Sequence, residues 1–401
     1  MQQYQGHIME QPNNLLIHRR LGIYWVGDKP FINKVDGFIE SSKSNIPVRW
    51  DFNDDVFSSI DWTIPVETSL DELYRQRAQQ LRDRYDYISL FFSGGVDSTN
   101  ALHAFIDNDI LLDEIVMFRP KHIETNNSDL SNRNLYGEID YAAVPHLKEH
   151  LKDPRTIVRF IDIDNIANYV LNNEKLVSQI EVSGNLTPTS FLKTSMCMTD
   201  PIWNALYQSG KNVCHIQGVD KPHIKVVDGK SHFQFSDMIS FNFTPRYHTP
   251  ESEMIWKHQF HELFYWTPDL PQLVIKQCQI MKHLYDIGLY RYELENTDRV
   301  SQEKLEFISN YIYPSHVTYV RNRFAVTKPG YTQNAAGMHD WFFETMPQNI
   351  IGEYRYIKEQ MVKNINDPFF VSAKSIYAGE PTYPGTERKS LRITKSKKYN
   401  L

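Results

Sequence analysis

The chain has 401 residues, enough for two or three domains with a sizeable core. Hydrophobic residues make up 41% of it and charged residues 23%, which is ordinary globular usage and excludes a disordered or collagen-like chain. The net charge of −6 argues against a nucleic-acid-binding surface that is basic throughout, although a local basic patch stays open.

Cysteine usage and hydropathy predict a cytoplasmic protein. Cys197, Cys214 and Cys278 form no Cys-x-x-Cys pair, which excludes a disulfide framework and a four-cysteine zinc site and fits a reducing compartment. No stretch approaches the roughly 20 apolar residues of a membrane helix. Residues 1–14 are polar and contain no apolar core of a signal peptide, so we expect no membrane partner.

Residues 1–84 are predicted to form a small β-containing N-terminal region that ends in a helix. The apolar run at 15–26, followed by turn residues at 27–30, indicates a hairpin. A helix is expected after Ser69, whose side chain can cap the first turn. The leucines expected on its buried side are Leu70, Leu73 and Leu81.

Residues 85–245 alternate short apolar runs with amphipathic segments. This alternation is typical of right-handed βαβ units, so we predict an α/β fold with a doubly wound, parallel, five-stranded sheet. The runs predicted as strands are 87–92, 113–118, 156–163 and 212–218. The segments predicted as helices are 99–108, 135–151 (with Pro145 expected to kink or split it), 166–180 and 201–210.

Residues 246–401 are predicted to form a helical C-terminal region with a basic end. The expected helices are 251–266, 270–288, 301–312, 334–346 and 350–365. The last sixteen residues carry six basic side chains and one acidic side chain. They are interpreted either as a solvated tail or as a contact with nucleic acid or ATP phosphates.

The sequence Ser-Gly-Gly-Val-Asp-Ser at 93–98 directly follows the strand predicted at 87–92. A strand that enters a helix through a glycine turn directs several backbone N–H groups at one point, and the helix N-terminus adds roughly half a positive charge there. Gly94 and Gly95 permit positive φ and close approach of an anion, and the serine hydroxyls can donate to phosphate oxygens. The motif therefore predicts a phosphate cradle, with a purely structural glycine turn as the alternative.

Asp97 is the one residue of the motif that conflicts with a bound phosphate. A carboxylate next to a phosphate needs a cation between them. Mg²⁺ is typically held by one or two carboxylates together with phosphate oxygens, and it would resolve the conflict.

Residues 93–98 resemble the pyrophosphate-binding loop of the N-type ATP pyrophosphatases, and most of all the synthetase domain of asparagine-synthetase-like members. The resemblance implies an adenine-nucleotide α-hydrolase-like fold, ATP and Mg²⁺ as cofactors, and cleavage of ATP between its α and β phosphates. The residues that it places at the nucleotide are Ser93, Gly94, Gly95, Val96, Ser98, Thr99, Met117, Phe118 and Gly218. Those to which it gives a catalytic role are Asp97, Asp220, Lys221 and Lys328, with Asp97 and Asp220 as the metal ligands.

The second loop of the resemblance, residues 218–222, departs from the family pattern. The usual Gly-x-Gly-x-Asp-Glu form is absent, and Lys221 stands where glutamate is expected, so that an ordinary turn at the end of a strand is the alternative. Lys328 is the candidate for the lysine that stabilises charge at the α-phosphorus, with an exposed loop lysine as its alternative.

The function that follows from the resemblance is an AMP- and pyrophosphate-forming ligase. A small-molecule carboxylate (or an amide oxygen) would be adenylated and then attacked by an amine donor. Residue 2 is glutamine and only residues 1–84 precede the first strand predicted for the parallel sheet, so we expect no N-terminal glutaminase domain. The alternatives are an adenylating enzyme that modifies a nucleic-acid base, which is not favoured, and a non-catalytic nucleotide-binding protein.

Weaker signals favour structural interpretations. Cys197 is interpreted as an idle thiol and not as a sulfur carrier. His258 and His261 lie three apart on a predicted helix, but the sequence HQFHE lacks the HExxH pattern of a zinc site. Residues 229–231 resemble the end of a Walker A loop, which we reject because Ile224 stands at its first glycine. The aromatic residues expected in the core are Phe260, Phe264, Tyr265 and Trp266.

Overall fold

A computed structural model describes residues 19–32, 34–118, 139–162, 196–197, 199–218, 221–222, 224–237, 254–255, 257–289, 309–314, 317, 370–372 and 392–401. Its helices and strands are, in chain order, β1 (Ile23–Val26), β2 (Lys29–Phe31), α1 (Lys34–Ser44), β3 (Val48–Asp51), α2 (Asp54–Phe57), α3 (Leu70–Arg84), β4 (Tyr87–Phe91), α4 (Val96–Ile106), β5 (Glu114–Phe118), α5 (Val144–His150), β6 (Ile157–Ile161), α6 (Pro201–Gln208), β7 (Val213–Gln217), β8 (Ile224–Val227), β9 (Lys230–Phe233), β10 (Gln259–Leu263), α7 (Pro271–Asp286), β11 (Phe370–Ser372), β12 (Arg392–Thr394) and β13 (Tyr399–Asn400). Within these ranges no helix is both long and apolar enough to cross a membrane.

A five-stranded, all-parallel sheet with the order β10-β7-β4-β5-β6 forms the centre of the molecule. From β4 the strands are added outward through β5 to β6. The next strand, β7, lies on the other side of β4, and β10 is the last strand of this sheet and pairs with β7. All five carboxyl ends therefore lie at one edge of the sheet, and the direction of winding reverses between β4 and β7. The predicted α/β class with a five-stranded parallel sheet is confirmed.

One face of this sheet carries the apolar core. Its buried residues share one hydrophobic cluster with residues of α3, α4 and α7; they are Ile88, Leu90, Ile115, Met117, Cys214 and Ile216. Side chains alternate along a strand, so His215 points to the opposite face. There its ring lies 4.3 Å from that of Trp203, and its Nε2 lies 2.9 Å from the Tyr207 hydroxyl, both from α6. Helices thus pack on both faces.

The helix predicted over residues 251–266 is present at 254–255 and 257–258 but is wrong from residue 259 onward. Gln259–Leu263 is the fifth strand of the sheet, in parallel register with Val213–Gln217. A short apolar run has no periodicity that separates a buried strand from a buried helix. The ladder with β7 supplies its backbone with partners, and the strand lies beyond residue 245, in the segment assigned to the C-terminal region.

Local signals in the first 84 residues are confirmed. Strands β1 and β2 form the predicted hairpin, whose turn contains Gly27 at φ 57°, and β3 pairs with the other edge of β1. Helix α3 begins directly after Ser69, whose hydroxyl accepts a hydrogen bond of 3.3 Å from the Glu72 N–H. Leu73 and Leu81 are buried, and Leu70 is half-buried.

The remaining helix predictions are confirmed where the structure describes them. Helices α4, α6 and α7 match the segments predicted at 99–108, 201–210 and 270–288, and 309–312 is helical. A π-helical turn (Ile139–Ala143) passes directly into α5, which has Pro145 in its first turn, so the helix changes type next to Pro145 and is not split. The predicted helices that lie outside the described residues are 166–180, 334–346 and 350–365, together with residues 301–308 of the helix predicted at 301–312.

The solvated-tail interpretation is wrong for residues 395–401. Strand β13 pairs with β9, and the backbone N–H of Leu401 donates to the Ser231 carbonyl at 3.0 Å. Tyr399 is buried, with its ring 4.8 Å from that of Trp62 and its hydroxyl 2.8 Å from Oδ1 of Asp54. Backbone pairing and burial of one aromatic ring outweigh the basic composition of this segment.

An ion-pair network joins β10 to α3. The guanidinium of Arg77 is fully buried and lies 2.9 Å from the carboxylate of Glu262. Glu262 also contacts Arg20 at 2.7 Å. A second carboxylate, Asp269, contacts Arg20 and lies 2.7 Å from Arg84. The network fixes the edge strand of the sheet against the helix that precedes its central strand.

We expect Asp269 to make the stability of the chain depend on pH. Burial by itself would raise the pKa of Asp269, but hydrogen bonds from Arg84 and Arg20 hold that pKa well below its usual value. A depressed pKa stabilises the folded state above the unfolded pKa of about 3.9 and loses this effect as the pH falls below it. The difference in Tm between the wild type and Asp269→Asn should therefore shrink as the pH falls below about 4. Parallel Tm curves down to acid pH would contradict this role.

Candidate functional site

The loop after β4 folds into a tight turn that brings both serines of the motif together. Gly94 has φ 77°, a conformation that favours glycine, and Gly95 caps helix α4. The hydroxyls of Ser93 and Ser98 lie 3.2 Å apart. The Gly95 N–H donates to Oγ of Ser93 at 3.2 Å, and Oγ of Ser98 donates to the Gly95 carbonyl at 3.0 Å. Two hydroxyls and a helix N-terminus thus converge at one point, as an anion requires.

The other residues predicted to bind the nucleotide have buried or half-buried side chains. Val96 and Thr99 are buried, and the Thr99 N–H donates to the Gly95 carbonyl inside the helix. At the end of β5, Met117 is fully buried, whereas Phe118 is half-buried with its ring 5.2 Å from that of Phe91. A base at this edge of the sheet would meet the backbone of Met117 and not its side chain.

The second predicted loop does face the first. A Cβ on Gly218 would lie 2.7 Å from Cα of Ser98 and 3.0 Å from the carbonyl oxygen of Asp97. Only a glycine permits this approach of backbone to backbone. Lys221 follows three residues later and reaches Asp97, whereas Asp220 and Lys328 lie outside the described residues.

Asp97 is held by three side chains. Nζ of Lys221 lies 2.6 Å from Oδ1 and 2.7 Å from Oδ2, and the hydroxyl of Tyr313 donates to Oδ1. The Tyr265 hydroxyl donates to the backbone carbonyl of Asp97 at 2.7 Å. Asn100 in turn donates to the Tyr265 hydroxyl at 3.0 Å. The side chain of Lys221 is 6% exposed and that of Asp97 is 22% exposed, so the pair is largely shielded from water.

Tyr313 and Tyr265 are site residues that sequence reasoning missed. Burial, together with the nearby Asp97 carboxylate, holds the pKa of each phenol well above its usual range, so both stay hydrogen-bond donors. The sequence predicts Tyr265 only as a core aromatic; it is buried, as are Phe264 and Trp266, and its hydroxyl also donates to the loop. No local pattern marks Tyr313, which is 216 residues from Asp97.

Asp97 as arranged does not fit direct coordination of Mg²⁺. Both of its oxygens contact the Lys221 ammonium, and Oδ1 also accepts from Tyr313. A Mg²⁺ ion about 2.1 Å from either oxygen would lie within about 5 Å of the ammonium, where repulsion is about 7 kcal/mol at an effective dielectric constant of 20.

The weaker signals keep their structural interpretations. Nδ1 of His258 lies 3.2 Å from Oδ1 of Asn212, whereas Nε2 of His261 contacts the Gln259 side chain at 2.8 Å. His261 lies in β10 and His258 before it, so the two histidines do not share one helix face as a zinc pair would require. Cys197 is buried and belongs to no disulfide in the part of the chain that the structure describes. Residues 229–231 belong to the β8–β9 hairpin, where Gly229 has φ 73° in the turn, so they form no Walker A loop.

Comparison of the chain with family models and with curated proteins finds no match. The candidate site therefore depends on its own geometry: a glycine-serine turn after β4, a glycine after β7 packed onto it, and the Asp97–Lys221 pair between them.

Proposed function

We propose that this chain is an ATP pyrophosphatase with an adenine-nucleotide α-hydrolase-like fold, which forms AMP and pyrophosphate while it ligates a carboxylate to an amine. The observation that carries the proposal is the position of the two loops. Ligands of open α/β sheets bind outside the carboxyl ends of the strands, at the point where the winding reverses. Here that point lies between β4 and β7, and the loops after these strands are the two predicted from the motif.

Each residue has a role in the proposed reaction. The N–H groups at the start of α4 would hold the β and γ phosphates, together with the hydroxyls of Ser93 and Ser98 once these exchange their contacts within the loop for contacts with phosphate. An oxygen of the substrate carboxylate attacks the α-phosphorus, the bond to the bridging α–β oxygen breaks, and pyrophosphate leaves with that oxygen. The amine then displaces AMP from the acyl adenylate. The protein supplies positioning and charge stabilisation without a covalent intermediate.

Other elements of the proposal come from the resemblance alone. Lys328 would stabilise charge at the α-phosphorus, and Asp220 would be a ligand of Mg²⁺ beside the phosphates. Mg²⁺ enters as the ion that ATP carries on its own phosphates, because the contacts of Asp97 leave no place for it on that carboxylate. The substrates would be a small carboxylate and a free amine, in the cytoplasm.

Release of pyrophosphate from ATP is the experiment that tests the proposal. The full chain is incubated with ATP and Mg²⁺ and with pools of amino acids and amines, and pyrophosphate and AMP are measured. We expect both products in equal amounts, and only with a pool that contains the substrate. Binding of ATP with no product from any pool would instead favour a nucleotide-binding protein, and ADP with phosphate would refute cleavage at the α-phosphorus.

We expect Gly218→Ala to weaken the binding of a non-hydrolysable ATP analogue by at least about tenfold. The added Cβ would lie 2.7 Å from Cα of Ser98, which is backbone, so β7 and α4 must separate. Isothermal titration calorimetry measures the loss. Gly210→Ala, in the turn before the same strand, is the matched control: its Cβ meets nothing within 4 Å, although the residue has φ 76°. It should lower Tm through backbone strain but leave binding unchanged. Equal binding losses in both variants would contradict the role of Gly218.

A further inference from the structure

We infer that Lys221 is a built-in counter-ion which gives Asp97 the positive charge that this carboxylate would otherwise take from a metal ion. The inference rests on the proposed function, since it concerns the same phosphate site. It assigns Asp97 and Tyr313 as positioning residues for Lys221, and Lys221 as the cation that offsets the repulsion between Asp97 and phosphate.

The contacts of the pair carry the inference. Both oxygens of Asp97 lie within 2.7 Å of Nζ of Lys221, so one ammonium serves the whole carboxylate. The charges of the two side chains cancel. A phosphate that enters the turn after β4 therefore meets a neutral pair beside the helix N-terminus, and not an isolated carboxylate.

The surroundings hold the ammonium in this position. Its Nζ lies 5.7 Å from the centroid of the Tyr313 ring, within range of a cation–π contact, and the Tyr313 hydroxyl donates to Asp97. Tyr265 fixes the backbone of Asp97 from the other side. The loop that carries Lys221 begins at Gly218, whose backbone is packed against Ser98. Lys221 stands where the family that the motif resembles has glutamate, and Asp97 and Tyr313 are positioned to hold a lysine there.

The net charge at positions 97 and 221 should determine how strongly each variant binds phosphate. Lys221→Met leaves the Asp97 carboxylate alone, so it repels phosphate unless Mg²⁺ takes the vacated place. The double variant Asp97→Asn/Lys221→Met is neutral again, like the wild type. A purely structural role for the pair would also let the double variant recover, because replacing both partners of a buried ion pair is often neutral, but it would give Lys221→Met no rescue of nucleotide binding by Mg²⁺.

The experiment measures binding of α,β-methylene-ATP to the full chain by isothermal titration calorimetry, in excess EDTA and in excess Mg²⁺. We expect the wild type to bind in EDTA within about threefold of its Kd in Mg²⁺. Lys221→Met should bind at least about tenfold more weakly in EDTA and recover in Mg²⁺, and the double variant should recover in EDTA. Lys211→Met, which replaces an exposed lysine before β7, is the matched control and should behave as the wild type.

Several outcomes would overturn the inference. Binding by the wild type only in Mg²⁺ would show that a metal ion, and not Lys221, supplies the charge, and the proposed function would still stand. The same holds if Lys221→Met binds normally in EDTA. Absence of nucleotide binding in either condition would refute the proposed function itself. Thermal unfolding identifies a variant that fails to fold; the wild type and the neutral double variant then still decide the question.

Discussion

Replacing Asp97 with asparagine is expected to lower the rate of pyrophosphate release from ATP by at least about 100-fold, the loss typical for one preorganised charge contact. The carboxylate holds Lys221 at 2.6 Å and accepts from Tyr313, and an amide provides neither the charge nor two acceptor oxygens. Without it the ammonium is no longer fixed beside the phosphates. The measurement is kcat and KM for pyrophosphate formation, with Tm recorded in parallel.

The loss should fall on kcat more than on KM. Nucleotide binding depends mainly on the glycine-serine turn, which Asp97→Asn leaves in place, whereas a fixed cation matters most as charge develops on the leaving pyrophosphate. Asp109→Asn is the matched control, because this exposed residue follows the other end of the same helix, and its turnover should equal that of the wild type. Near-normal turnover in Asp97→Asn, with folding intact, would refute the assigned role.

Arg77→Met is expected to lower the free energy of unfolding by about 3–5 kcal/mol. The Arg77 side chain is fully buried, and its guanidinium donates to Glu262 at 2.9 Å, to the Leu263 carbonyl at 3.0 Å and to the Phe264 carbonyl at 3.2 Å. Methionine fills part of the volume but leaves a buried carboxylate short of one cation and two carbonyls short of a donor. Urea denaturation followed by circular dichroism measures the change.

Arg75→Met separates the effect of burial from that of losing an arginine. Arg75 lies on the same helix and pairs with Glu72 at 2.6 Å, but both side chains are exposed. Water replaces such a pair at little cost, so the denaturation midpoint should barely move. If the two variants were equally stable, the buried network would not be what fixes β10 against α3.

Much of the fold could be predicted because its signals are local. Ser69 marks the start of α3 with a hydroxyl that needs only a donor three residues away. The strands that begin at 87, 114, 157 and 213 follow from apolar runs bounded by polar turns. Gln259–Leu263 could not be predicted in this way, because this short run becomes a strand only through its pairing with β7 and through the ion pair of Glu262 with α3.

For the candidate site, too, local features could be predicted and long-range contacts could not. The glycine-serine turn after β4 and the glycine after β7 could be predicted from single residues, because positive φ, close backbone approach and hydroxyl donors are properties of single residues. The partners of Asp97 follow from the packing of the folded chain. Lys221 is 124 residues away along the chain and Tyr313 is 216 residues away. Contacts at such separations are set by how the sheet and its loops pack, and no local preference of the chain encodes them.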